Sequence, residues 1–401
     1  VCTRPTPPLA EAPAGRSRAR RLPAPPSSTL KGATGPSPSP PAATGSRAAA
    51  ADGRRVLAPG LAVHPLGIRC RMPARTREAP PAVRAAEQSA LAALQRAYEL
   101  GATVIDIGST GSSRRLAARF LADLPRRRVV VSATVAATGA DRAAEPWSPA
   151  LLRRRLRSVL RDLAIDHLDL MALRCADIAA AGPLRIATEL NALRGQGLFD
   201  ALALDLSGPP SCLPWRTGPT SSSDPSAVRA AIEALEPAVL VADLSALTAP
   251  APTGLDPFAL AANHGLAVLV TDPLAHDLLL GPGARTPRPA RATDATETAP
   301  LGSTREQVKA IDGHLLAIGT RFGSTTADLT RAFLRMLLHR HCRTVVLCEL
   351  AEHRMEEYFG GLGAAFTSDD ADFLGRWGER LRRRLVALDP APQPTEEEDC
   401  R

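Results

Sequence analysis

From Arg54 onward, short apolar runs alternate with longer stretches in which apolar residues recur at helical spacing. The spacing predicts an extended segment over Val56–Val63 and strands at Leu66–Cys70, Thr103–Ile107, Val129–Thr134, Leu168–Leu173, Ala201–Leu206, Val239–Ala242, Ala267–Thr271 and Thr344–Leu347. Between them it predicts helices at Val83–Leu100, Ser113–Leu124, Pro149–Leu163, Pro183–Arg194, Ser226–Leu235, Pro257–His264, Thr304–Phe322, Thr325–His339 and Glu352–Phe359. Gly101 marks one helix end, and Ser148-Pro149 marks a start, with a capping hydroxyl followed by proline in the first turn. The strands read as nearly continuous Val/Ile/Leu runs, as strands covered on both faces do. Eight of them in strict alternation with helices predict an α/β fold, a (β/α)8 TIM barrel, in preference to a doubly wound sheet. The absence of G-x-G-x-x-G after the first strand agrees.

The pattern divides the chain into three parts. Residues 1–53 are rich in Pro, Ser, Ala, Gly and Arg, too poor in apolar surface to offset ordering entropy, and are expected to be a disordered tail. Their Arg- and Ser-rich, acid-poor character also suits an organellar transit peptide. The barrel is expected over 54–378, opening with an extended hairpin, and a C-terminal tail over 379–401. Two long segments, Gly208–Pro225 and Gly281–Leu301, follow strands and read as insertions on the C-terminal face.

Composition narrows the partners. The net charge is +8, yet only Lys31 and Lys309 among the 49 basic residues are lysines, a ratio that suits coding bias better than a nucleic-acid surface. Arg153, Arg154, Arg155, Arg157 and Arg161 accordingly read as a solvated outer helix. Seven scattered cysteines without a C-x-x-C pair argue against a disulfide framework or structural zinc, and suit the cytoplasm, with an organelle as the alternative. No apolar run approaches the ~20 residues that span a bilayer. His339, His341 and His353 form no defensible metal-ligand set, and no metal is expected.

Several segments, in order, resemble the aldo-keto reductase family. RRVLAPGLAVHPLGIRC (Arg54–Cys70) is similar to its opening hairpin and first strand, and AYELGATVIDIGSTGSSRRLAARFL (Ala97–Leu121) to its next helix, strand and site loop. RRRVVVSATV (Arg126–Val135) resembles its following strand. SVLRDLAIDHLDLMALRCAD (Ser158–Asp177) resembles the segment that runs D-Y-x-D-L-x-x-x-H-x-x-D. GLFDALALDL, HGLAVLVTDPLAHDLLLG and VVLCELAEHRMEEYFGGL match later segments.

The resemblance implies carbonyl reduction by NADPH, with a tyrosine as acid, a lysine lowering its pKa, an aspartate holding the lysine and a histidine orienting the substrate. By resemblance the aspartate is Asp106, the tyrosine position falls at or near Gly111, the lysine position is Thr134 and the histidine position is Arg174. Neither Tyr98 nor Tyr358, and neither lysine, falls at these places. At the cofactor positions the nicotinamide amide would meet Asp205-Leu206, with Val241 at the glutamine position. The stacking aromatic is Thr271, the phosphate turn Leu347-Cys348 and the last-helix asparagine Tyr358. Only Arg354, at the adenosine phosphate, keeps a matching type, and on its own it reads as a solvated surface charge.

The departures from the family pattern therefore point to a degenerate reductase acting as a binding or regulatory module for a small-molecule or protein ligand, with NADP a possible cofactor. The remaining mouth residues are Asp106, Ser109, Ser112, Thr134, Arg174, Asp205 and Asp272, and Arg174 is expected to pair with Asp106 once the lysine is gone. Gly108–Ser113 could cradle a phosphate or simply make a β-to-α turn. Two rivals stand: an NADP oxidoreductase with an unusual acid, such as water held by Asp106 or Asp272, and a hydrolase using Asp106, Asp205 and Asp272.

Overall fold

The computed structural model describes residues 53–72, 80–136, 147–207, 215, 224–249, 255–281, 285, 303–360 and 366–389. Contacts divide the chain into residues 1–46 and 47–401, and every described residue lies in the second unit. The N-terminal tail and most of the two insertions therefore fall outside the described residues.

The alternation of apolar runs becomes a closed ring of parallel strands: β3 (Leu66–Cys70), β4 (Val104–Ile107), β5 (Val130–Thr134), β6 (Leu168–Arg174), β7 (Phe199–Asp205), β8 (Val239–Asp243), β9 (Ala267–Thr271) and β10 (Thr344–Glu349). β10 closes the ring against β3, with Val346 opposite Leu66 and Glu349 opposite Arg69. Each strand is covered on both sides. Val104, Leu170, Ala172, Ala201, Ala203, Val239, Val241, Ala267, Leu269, Val345 and Leu347 pack together inside the ring, and their strand neighbours pack outward beneath the helices. Gly67 faces the interior because a Cβ there would lie 2.9 Å from Leu347, from the Val104 side chain and from the Val104 carbonyl.

The Arg54–Val63 segment forms the expected hairpin, β1 (Arg55–Ala58) and β2 (Leu61–Val63), turning through left-handed Gly60. Leu57, Ala58 and Val63 join the inner core, so the hairpin stoppers the N-terminal end of the barrel. Arg343 donates to the Val56 carbonyl at 2.9 Å and Arg55 to the Cys342 carbonyl at 2.7 Å, fastening the stopper to the chain before β10.

The helices are α1 (Pro80–Glu99), α2 (Gly111–Ala122), α3 (Pro149–Leu163), α4 (Cys175–Ala181), α5 (Pro183–Gly195), α6 (Pro225–Leu235), α7 (Pro257–His264), α8 (Arg305–Phe322), α9 (Thr326–Arg340), α10 (Met355–Phe359) and α11 (Ser368–Ala387). Local chemistry sets their ends. Ser148 accepts from the Leu151 N–H to open α3, and left-handed Ala164 closes it. Thr304, Thr325 and Thr367 each open a helix with a reciprocal capping box, completed by Gln307, Asp328 and Asp370.

Two expectations need correction. The short helix α4, directly after β6, was not anticipated, because CADIAAA carries too few residues for a periodic signal. The boundary at 378/379 cuts through α11, which continues to Ala387. Leu374, Trp377, Leu381 and Leu385 recur every three or four residues and are buried, and the arginines interleaved with them disguise the stripe. Gln307 donates to the Leu385 carbonyl at 3.2 Å and to Asp389 at 2.7 Å, so the folded part reaches at least Asp389. Among the described residues no helix is long and apolar enough to cross a membrane.

Candidate active site

Side chains alternate along a strand, so the inner apolar series of each barrel strand continues at its C-terminal end into one inward position. Those positions are Arg69, Asp106, Thr134, Arg174, Asp205, Asp243, Thr271 and Glu349. Six of the eight are charged, which makes this end a polar mouth above an apolar barrel.

Asp106 is 5% exposed. One of its oxygens accepts from the Ser132 hydroxyl at 2.8 Å, and the other lies 3.7 Å from Arg69 Nε. Arg69 also reaches Asp243, at 3.6 Å from its NH1. Burial lowers the Arg69 pKa, but the carboxylates of Asp106, Glu349, Asp243 and Asp205 outweigh it and hold the guanidinium charged. The expected Arg174–Asp106 pair is therefore not formed. β3 lies beside β4 with Arg69 in register with Asp106, whereas β5 separates β4 from the strand that carries Arg174.

Arg174 instead borders a cavity of about 270 Å3, together with Ser109, Arg114, Thr134, Val135, Ala136, Arg155 and Val159. Arg114 is tied to Asp162 at 2.9 Å, while among the described residues the Arg174 side chain has no hydrogen bond or ion pair. Three of the sequence-expected mouth residues, Ser109, Thr134 and Arg174, thus share one pocket, and Asp106 lies in a separate charge cluster.

The far side of the mouth is acidic. Burial pushes the Asp205 carboxyl up to about 6, against the Ser207 backbone N–H and with the help of the Asp243 charge. Burial and the charges of Asp243 and Glu349 raise Asp272 well above the usual carboxylate range. Burial also raises Asp106, although Arg69, the Ser132 hydrogen bond and Arg71 oppose it. Asp106, Asp205 and Asp272 are not one another's charge neighbours; Arg69 acts on all three, and Asp243 on Asp205 and Asp272. Thr271 is fully buried and donates to Asp243 at 2.5 Å.

Arg354 is 2% exposed, not a solvated surface charge, and pairs with Asp277 at 2.9 Å. Ala275, His276 and Asp277 are left-handed in succession (φ 52°, 55° and 69°), a costly run that brings Asp277 onto Arg354. The Gly108–Ser113 loop is a stitched turn. Thr110 caps α2 and donates to the Met72 carbonyl at 3.1 Å, while the Ser113 hydroxyl accepts from the Met72 N–H at 2.8 Å. Burial pushes the Cys70 thiol up to about 12, which removes it as a nucleophile. Tyr98 packs edge-on to Phe120 between α1 and α2, Tyr358 is buried in the core, and Lys309 is exposed on α8.

Sequence reasoning missed Arg69, Ser132, Asp243 and Glu349. Their signal was available, since each continues the period-two inner series of its strand.

The model of the aldo/keto reductase family matches residues 81–372. The chain belongs to the aldo/keto reductase family. Among solved structures, a glycerol dehydrogenase from Gluconobacter oxydans superposes with a TM-score of 0.59 at 17% identity, covering 86% of this chain and 99% of that one. An aldo-keto reductase from Bacillus halodurans, in its holo form, gives 0.54 at 16% identity over 82% and 95%. An aldo/keto reductase from Klebsiella pneumoniae, in complex with NADP and acetate, gives 0.52 at 17% identity over 83% and 94%. These likenesses carry the fold. A sequence comparison with curated proteins finds no match. Members of the aldo/keto reductase family typically bind NADP.

Proposed function

We propose that this chain is an aldo/keto reductase family member that has lost carbonyl reduction and acts as a binding module for a small anion. The observation that carries the reading is the pocket at Thr134 and Arg174. There Arg114, Arg155 and Arg174 stand with Ser109 and Thr134, where the family resemblance calls for a phenol, an ammonium and an imidazole. Guanidinium groups stay charged at neutral pH, so they fix phosphate or carboxylate oxygens but donate no proton to a forming alcohol. The Arg174 side chain, without a partner among the described residues, is available to a ligand oxygen. The volume, about 270 Å3, lies just below the ~300–1,000 Å3 of drug-sized sites, which suits a compact phosphate- or carboxylate-bearing molecule.

The nicotinamide cofactor fits this mouth poorly. Asp205, expected at the nicotinamide amide, already accepts from the Ser207 N–H. Thr271, expected beneath the ring, is fully buried and offers no aromatic face. Arg354, expected at the adenosine phosphate, is occupied by Asp277. The charges of Asp243 and Glu349 add like-charge repulsion toward a diphosphate. The proposed activity therefore involves no hydride.

NADPH fluorescence titration, paired with calorimetry using inorganic phosphate, tests the reading. The expected result is no saturable NADPH signal, and phosphate binding that disappears in Arg174→Ala. Tight NADPH binding with carbonyl-dependent oxidation would overturn it.

One observation favours the rival oxidoreductase. Asp272 is a buried carboxyl whose raised pKa favours its protonated form, and a protonated carboxyl can donate. Turnover abolished by Asp272→Asn would support that rival.

A further inference from the structure

A second cluster sits at the opposite end of the barrel from the mouth. His167 immediately precedes β6, Asp169 is the second residue of β6 and Asp200 the second residue of β7. The register pairs Leu168 with Phe199 and Leu170 with Ala201, which sets Asp169 beside Asp200. Leu170 and Ala201 face the barrel interior, so the two aspartates between those pairs face outward. His167 Nε2 lies 4.0 Å from an oxygen of each, and the three ligand atoms all fall within 4.8 Å of one another.

The imidazole is oriented for coordination. Its Nδ1 is 2.7 Å from Asp166 Oδ1. An ionised carboxylate only accepts, so Nδ1 donates to Asp166, and Nε2 is the ring nitrogen placed toward the two aspartates. A histidine held this way by a carboxylate is the usual second layer of a metal site. At 4.0 Å neither carboxylate hydrogen-bonds to Nε2.

Asp169 is fixed as well. Its Oδ2 accepts from the Val131 N–H at 2.7 Å and pairs with Arg126 at 2.7 Å, which leaves Oδ1 toward His167. Arg126 also donates to the His167 carbonyl at 3.0 Å, so one guanidinium positions two of the three ligands. Asp166, Asp169 and Asp200 against Arg126 leave two net negative charges, matching a divalent cation. The resembling D-Y-x-D-L segment carries tyrosine where this chain has His167, so the nitrogen donor is a departure from that pattern.

We propose that His167 Nε2, Asp169 Oδ1 and Asp200 Oδ2 bind a divalent transition-metal ion of the zinc type, with Asp166 as a positioning residue. One imidazole and two carboxylates suit zinc, cobalt or nickel better than magnesium or calcium. Ligand bonds of about 2.0–2.2 Å require the three atoms to draw together. Asp200, more than half exposed, supplies that movement by side-chain rotation, and water completes the coordination. The ion would clamp the starts of β6 and β7, on the far end of the barrel from the anion pocket.

The test uses the full chain, stripped with a chelator and carrying Cys342→Ser to remove an exposed thiol. Zinc is titrated by calorimetry and cobalt by its visible absorption. The expected result is one equivalent of zinc bound with an accompanying rise in Tm. Affinity falls at least about tenfold in Asp200→Asn and in His167→Ala, and by about 10- to 100-fold in Asp166→Asn. Asp200 is surface-exposed, so its variant folds without metal, and circular dichroism with the metal-free Tm verifies this for all three. Absence of a one-equivalent zinc event in the chain without ligand substitutions, or zinc binding unchanged in both His167→Ala and Asp200→Asn, would overturn the proposal.

Discussion

Arg69 and Asp106 stand side by side on neighbouring strands, with a guanidinium nitrogen 3.7 Å from a carboxylate oxygen at the barrel mouth. The balancing cation therefore comes from the first strand of the barrel. Removing one member of a buried ion pair leaves the other uncompensated, at a cost of about 3–5 kcal/mol. Arg69→Met is expected to lose stability of that order in urea unfolding at neutral pH. A loss below about 1 kcal/mol would show that Arg69 is not the partner that matters.

Arg174→Ala should behave in the opposite way. Arg174 makes no ion pair among the described residues, so its removal is expected to change stability by no more than about 0.5 kcal/mol. The same variant should lose inorganic phosphate binding in calorimetry. Large destabilisation with retained binding would reverse the roles assigned to the two arginines.

Asp205 should give the protein a distinctive pH response. Its folded pKa, about 6, lies above the unfolded value, so folding favours the protonated carboxyl. Its contribution is fully present below about pH 4 and is lost as pH rises through 6, amounting to roughly 3 kcal/mol. Asp205→Asn should therefore raise Tm relative to the unsubstituted protein more at pH 8 than at pH 4. Burial shifts Asp272 in the same direction, so the Asp205→Asn variant keeps part of the pH response. Equal differences at both pH values would remove Asp205 as a source.

The last helix should prove integral to the fold. Leu381 is fully buried, and Leu381→Ala is expected to cost about 2–5 kcal/mol in denaturant unfolding. A chain ending at residue 378 should fail to give a cooperative transition.

The barrel was legible in the sequence because every ring strand is apolar on both faces and every connecting helix repeats its apolar residues. Ser148-Pro149 even marked the start of α3 to the residue. The mouth was only partly legible. Asp106, Thr134 and Arg174 were assigned by resemblance, and the structure puts Thr134 and Arg174 in one pocket. Arg69 escaped notice because a single charge within Leu66–Cys70 looks like an interruption until the ring closes and brings Asp106 and Asp243 to it. The state of Arg354 was not readable either, since its burial depends on Asp277, 77 residues away in the chain. Local pattern carried the scaffold, and electrostatic partners across the ring required the three-dimensional register.

The ring shuts only when β10 reaches β3, and the Arg55–Cys342 bond that secures the stopper joins residues 287 apart in sequence. A ribosome must therefore release nearly the whole barrel before either end of the sheet is covered. Until then β3 and β9 each present a bare edge, the kind of surface on which unfinished chains associate. Synthesis, rather than the finished molecule, is where this protein is most vulnerable, since a nascent fragment stopping short of Thr344 lacks the strand that pairs with both β3 and β9.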